Sequence, residues 1–95
     1  MKNIHQKYPK DGALLRVVSA IAGLNTVEIA DRLELAPGYL RLIINGDRGL
    51  SRKSVRRLIE LIRQVRRDLR KEAPDWLKSC DNTLELIMDT LWDRQ

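Results

Sequence analysis

One cysteine (Cys80) and one histidine (His5) are all that the chain holds of the residues that build disulfides and soft metal sites. A bridge needs two thiols and a tetrahedral zinc site four donors, so neither can be made within one chain. A reducing, cytoplasmic setting is expected, with Cys80 acting as a small, partly buried hydrophobe. No apolar run approaches the roughly 18 residues of a membrane span. The opening MKNIHQKYPKDG also lacks the apolar middle of a signal peptide, so no membrane is expected. Catalytic parts are equally scarce: His5 stands alone in a tail, Cys80 has no histidine near it, and no glycine-rich phosphate loop follows a strand. No enzyme, cofactor, metal or small-molecule ligand is therefore expected. There is no repeat, low-complexity tract or Gly/Ser linker, and nothing alternates apolar with polar over six residues, which leaves no strand to propose.

What is present is apolar material and positive charge. Ninety-five residues, 43% hydrophobic and 33% charged, suffice for one folded domain and leave no room for a second core. The net charge of +5 hides an uneven distribution. Residues 1–47 carry six basic and five acidic side chains, residues 48–71 carry ten and two, and residues 72–95 carry two and six. A strongly basic middle followed by an acidic tail favours a polyanionic partner, with nucleic acid first.

Helical periodicity accounts for most of the chain. Asp11 reads as the cap of a first helix with Leu14, Val17, Val18 and Ile21 at three-and-four spacing and Gly23 as its left-handed stop. Asn25 and Glu28 form a capping box for a second, which buries Ile29, Ala30 and Leu33. Pro37 opens a third that runs to Ile44 and ends at Asn45-Gly46, both tolerant of left-handed backbone. Ser51 caps a fourth, with Val55, Leu58, Ile59, Ile62, Val65 and Leu69 on one stripe and arginines on the other, stopped before Pro74. A short turn over residues 75–79 and the pair Asp81-Asn82 precede a fifth, striped by Leu84, Ile87, Met88, Leu91 and Trp92. The fold class is all-α. It divides into a basic arm (1–10) carrying Lys2, Lys7 and Lys10, a helical domain (11–73) and a C-terminal helical extension (74–95).

Two short helices joined by a tight turn over residues 25–44 have the spacing of a helix-turn-helix. The stretch NTVEIADRLELAPGYLRLIINGDRGLS resembles the helix-turn-helix of phage-repressor-like regulators of the Xre/Cro type, in Asn25, Ala30, Ala36, Pro37, Tyr39, Leu40, Ile43, Asn45 and Gly46. The likeness covers roughly residues 12 to 70. It implies a five-helix lambda-repressor-like domain with a long fourth helix, in a sequence-specific regulator of phage or plasmid type, acting as a dimer on palindromic duplex DNA and most simply as a repressor. Ala30 has to be small because the recognition helix crosses close above it.

The resemblance places the recognition surface on Pro37, Gly38, Tyr39, Arg41 and Leu42, and phosphate contacts on Thr26, Asn45, Arg48, Arg52 and Lys53. The chain departs from the family pattern at several of these places. Glu34 stands where the turn usually has glycine, and Thr26 where a longer phosphate-contacting Gln is common. None of Pro37, Gly38 and Leu42 offers a bidentate hydrogen bond to a base edge. Readout then rests on Arg41, on thymine-methyl contacts from Leu42 or Pro37, on DNA shape, or on flanking segments. Leu42 either faces out or packs inside, and Asn45 either touches phosphate or only caps the helix. The basic arm either lies along DNA or is solvated. Arg63, Arg66, Arg67 and Arg70 either face solvent or pair with the acidic tail. Weak base readout argues for two copies, so Leu84, Ile87, Met88, Leu91 and Trp92 are expected to make a homodimer, the other possibility being that they fold back on the chain's own core. The rival class is a protein-interaction module that keeps the scaffold and uses the apolar Leu42 face.

Overall fold

The capping and stripe signals mature into five helices: α1 (Pro9–Ala22), α2 (Thr26–Leu33), α3 (Pro37–Ile44), α4 (Arg52–Glu72) and α5 (Lys78–Trp92). The computed structural model describes residues 7–72, 75 and 78–95, and among these there is no strand. Lys2, His5, Pro74 and residues 76 and 77 of the expected turn at 75–79 lie outside the described residues, and residues 78 and 79 of that stretch already belong to α5. No single helix among those described is long and apolar enough to cross a membrane.

α1 starts two residues before Asp11. Pro9, whose missing amide costs nothing in a first turn, begins the helix, and Asp11 lies inside it, buried, so the expectation of an Asp11 cap is corrected. The inward stripe is also shifted. Leu15 and Val18 are buried with Asp11 and Gly12, while Leu14 and Ile21 are half-buried and Val17 is exposed. The run LLRVV offers two overlapping stripes, and Gly12 decides between them. A Cβ there would collide with the Ile44 carbonyl oxygen, so α1 meets the end of α3 at Gly12 and turns Leu15 inward. Gly23, at φ 68°, stops the helix as expected, and the Ser19 hydroxyl donates to the Leu24 carbonyl just beyond.

The capping box of α2 is complete. The Glu28 amide donates to Asn25 Oδ1 and the Asn25 amide to Glu28 Oε1, both at 2.9 Å. Glu34 adopts left-handed backbone (φ 57°), its amide donating to the Asp31 carbonyl and the Leu35 amide to that of Ala30. The helix thus ends without the glycine such a turn prefers, and the Glu34 carboxylate meets Arg57 of α4 at 3.1 Å. Ile29, Ala30, Leu33, Leu40 and Ile43 fill the angle between α2 and α3 with essentially no exposure. At the end of α3 Asn45 is the cap and stays right-handed, so of the two residues tolerant of left-handed backbone only Gly46 (φ 86°) adopts it.

α4 is capped by Ser51, whose hydroxyl accepts the Ser54 amide at 3.1 Å. Val55, Leu58, Ile59, Ile62 and Val65 are buried as expected and are joined by Leu61. α5 begins three residues before Asp81, which lies in its first turn and points at α4. Leu84 and Leu91 are fully buried, and Ile87 and Met88 pack against the same core. The stripe expected to stand free for a dimer is therefore folded onto the chain's own α4, because α4 is too long for α1–α3 to cover its apolar face. Of that stripe only Trp92 is exposed, with the Arg63 guanidinium 5.5 Å from its ring centroid. The buried residues of α5 thus share one core with those of α1–α4.

Candidate nucleic-acid interface

With Leu40 and Ile43 turned in, helix geometry fixes what α3 shows outward. At about 100° per residue, Gly38, Arg41, Leu42 and Asn45 occupy the side opposite that buried pair, flanked by Pro37 and Tyr39. All six are exposed, Leu42 by 38% and Tyr39 by 44%. The five residues expected to form a recognition surface do share an outward face. Its polar reach is confined to Arg41, the Tyr39 hydroxyl and the Asn45 amide group. Thr26, half-buried at the first position of α2, lines a cleft of about 240 Å³ with Arg16, Ser19 and Ile44. Arg16 donates to the Ile44 carbonyl at 3.5 Å and stands at the negative end of α3. Sequence reading had passed over Arg16, which carries no motif of its own.

The cations divide into two groups along the chain. Arg41, Arg48, Arg52, Lys53 and Arg56 are exposed and make no ion pair or side-chain hydrogen bond among the described residues. Most of those further along α4 are engaged, Lys71 excepted. Arg57 pairs with Glu34 and Arg63 with Glu60. Arg66, only 9% exposed, donates to Asp81 at 2.8 Å and lies 3.6 Å from Glu85, while Arg70 is 3.9 Å from Asp81. Arg67 donates to Gln64 at 2.8 Å. Asp81 is held below the usual carboxylate range by its hydrogen bond from Arg66, against the opposing effect of burial. The acidic α5 thus compensates Arg66 and Arg70 in the second half of α4, while the cations of α3, the following loop and the first turns of α4 have no acidic partner among the described residues.

That loop, residues 45–51, is braced from beneath. The amides of Lys7 and Tyr8 both donate to the Gly46 carbonyl, at 3.1 and 3.0 Å. The Tyr8 ring lies against Gly49, where an added Cβ would come within 2.7 Å of it. Asp11 Oδ2 accepts the Leu50 amide at 2.8 Å. The same carboxylate takes both terminal nitrogens of Arg94, at 2.7 and 2.9 Å. The Arg94 guanidinium holds the Asp11 carboxyl below its ordinary range, helped by the Leu50 amide and opposed by burial. Lys7 and Tyr8 are therefore tied to the loop, and Lys10 lies within α1, so what is described of the expected arm is not free. Tyr8 and Arg94 escaped the sequence reading, and Asp11 was read there only as a helix cap, because each acts across 38 or more positions of chain.

The exposed face of α3 and the unpaired cations beside it can bind a phosphate backbone and set a short helix against a groove. Comparison with models of known families, with characterised proteins and with solved structures finds no match to this chain.

Proposed function

We propose that this protein is a double-stranded DNA-binding regulator of lambda-repressor-like architecture, with α3 as the recognition helix and the loop and first turns of α4 on the phosphate backbone. The observation that carries this reading is the partition of charge. Among the described residues Arg41, Arg48, Arg52, Lys53 and Arg56 make no ion pair, while further along α4 Arg57 and Arg63 pair with Glu34 and Glu60, and Arg66 and Arg70 with the acidic α5. A basic helix serving only solubility would give no reason for such selective neutralisation. Arg41 supplies the hydrogen-bonding readout, Leu42 and Pro37 supply thymine-methyl contact, and Arg48, Arg52 and Lys53 supply position. Two copies on a palindromic site add the affinity that one such helix lacks, and repression follows most simply from occupying the site.

The exposed Leu42 and Tyr39 also suit a protein partner, and salt dependence separates the two readings, since apolar docking does not weaken with counterion concentration as phosphate binding does. Selection of bound sequences from a random duplex pool supplies a preferred site. On it, Arg41→Ala should cost about 1–3 kcal/mol more than on random duplex, whereas Arg52→Ala should weaken both alike. Equal losses on both duplexes for Arg41→Ala would remove it as the base reader.

A further inference from the structure

The Asp11 carboxylate has two dissimilar partners. One is the Leu50 amide in the loop that joins α3 to α4, and the other is Arg94, two residues past the end of α5. Asp11 is 5% exposed and Leu50 8%, so neither the carboxylate nor the amide has water as an easy substitute. Leu50 stands between Arg48 and the cap Ser51, and Arg52 and Lys53 follow at once. The direction in which these three cations leave the protein is thus tied to a carboxylate whose orientation is set by a guanidinium from the far end of the chain.

We propose that Arg94 is a positioning residue for the DNA-facing loop. Through its two hydrogen bonds to Asp11 it holds the acceptor that fixes Leu50, and so sets Arg48, Arg52 and Lys53 for simultaneous phosphate contact. This rests on the DNA-binding reading and adds to it a contribution of α5: the helix that removes charge from the back of α4 also places the charge at its front. The other two anchors, Gly46 and Gly49 against Lys7 and Tyr8, hold the start and middle of the loop. Ahead of the Ser51 cap, the Leu50 side chain is packed in the core and its amide is fixed by Asp11. A fork geometry suits the task, because two parallel N–H···O bonds fix the rotation of a carboxylate where one point charge would not.

The test uses the full chain with Arg94→Ala and with Arg94→Lys, which keeps the charge and loses the fork. Amide hydrogen exchange at Leu50 in the free protein reads the anchor, and duplex affinity as a function of salt reads its consequence. For Arg94→Ala, folded by circular dichroism well below its melting temperature, Leu50 exchange should rise by at least about tenfold. Affinity for preferred and random duplex alike should fall about threefold to tenfold, with the salt slope shallower by about one unit, the loss of one phosphate contact. Arg94→Lys should fall between alanine and the parent in both readouts, and it carries the test if the alanine variant does not fold. Leu50 exchange unchanged in both variants overturns the anchor. Faster exchange with unchanged affinity and slope shows a merely stabilising pair and overturns the positioning role. A parent chain that binds neither duplex while Leu50 exchange responds to Arg94 refutes the DNA reading itself, and the positioning role falls with it.

Discussion

Truncating Leu91 to alanine tests whether α5 belongs to the core of a single chain. Leu91 and Leu84 have no exposed surface, whereas Leu86, on the same helix, is 68% exposed. Removing a fully buried leucine side chain from a packed interior costs about 2–5 kcal/mol, the transfer term plus the cavity left behind. A chain of this length has about 5–14 kcal/mol of total stability, so a loss of about 3 kcal/mol from Leu91→Ala is a large fraction of it. At about 5 °C per kcal/mol the melting temperature should fall by about 15 °C, and the urea midpoint by about 2 M for a slope near 1.5 kcal/mol/M. Leu86→Ala should change stability by less than about 0.5 kcal/mol, since the side chain is mostly in water already. Circular dichroism at two protein concentrations reads both variants and separates an intrachain core from an interface, whose melting temperature would move with concentration. A loss below about 1 kcal/mol at Leu91, or one equal to that at Leu86, would refute the packing argument.

Glu34→Gly should stabilise the chain by about 0.5 kcal/mol, because the left-handed backbone at φ 57° suits glycine, while the pair given up with Arg57 is largely exposed on the Glu34 side and worth little; a melting temperature lowered by the change would contradict this. The Asp11 and Asp81 carboxyls titrate lower in the folded chain than in the unfolded one, so their contributions are present above the ordinary carboxylate value, about pH 4, and are lost as pH falls through the depressed folded values. Asp11→Asn should flatten that acid limb in urea titrations between pH 5 and 2, and an unchanged limb would show that Asp11 carries none of it. Sedimentation of the chain on a duplex holding two inverted half-sites should give two protomers per duplex, and one protomer at saturation would rule out the dimeric mode.

The local parts of this fold were legible because their causes are local. The Asn25–Glu28 box, the Gly23 stop, Pro37 and the Ser51 cap each satisfy open helix ends within a few residues, and the structure has all four. Ala30, Leu33, Leu40 and Ile43 were legible as core for the same reason, their spacing leaving no other face for burial. Registers decided by a distant neighbour were not. Leu15 instead of Leu14 faces inward because Gly12 admits the Ile44 carbonyl, which no window around α1 contains. Asp11 looks like a helix cap beside its neighbours and becomes a buried acceptor only when Leu50 and Arg94 arrive from 39 and 83 residues away. The α5 stripe was visible, but whether it covers α4 of its own chain or of another depends on how much apolar surface α1–α3 leave bare. At the candidate interface, exposure of Leu42 followed from helix geometry. The division between paired and unpaired arginines did not, because the partners of Arg57, Arg66 and Arg70 come from other helices: Glu34 at the end of α2, and Asp81 and Glu85 of α5.

Salt dependence of duplex binding tests the central claim most directly, measured for the parent chain and for a variant with Arg48, Arg52 and Lys53 all changed to alanine. Phosphate contacts from the unpaired cations predict that the logarithm of the parent's association constant falls linearly with the logarithm of salt, with a slope of about −3 to −5 per bound chain, and that the variant's slope is shallower by about two to three units. A parent chain that binds no duplex, or a variant whose slope equals the parent's, would contradict the account.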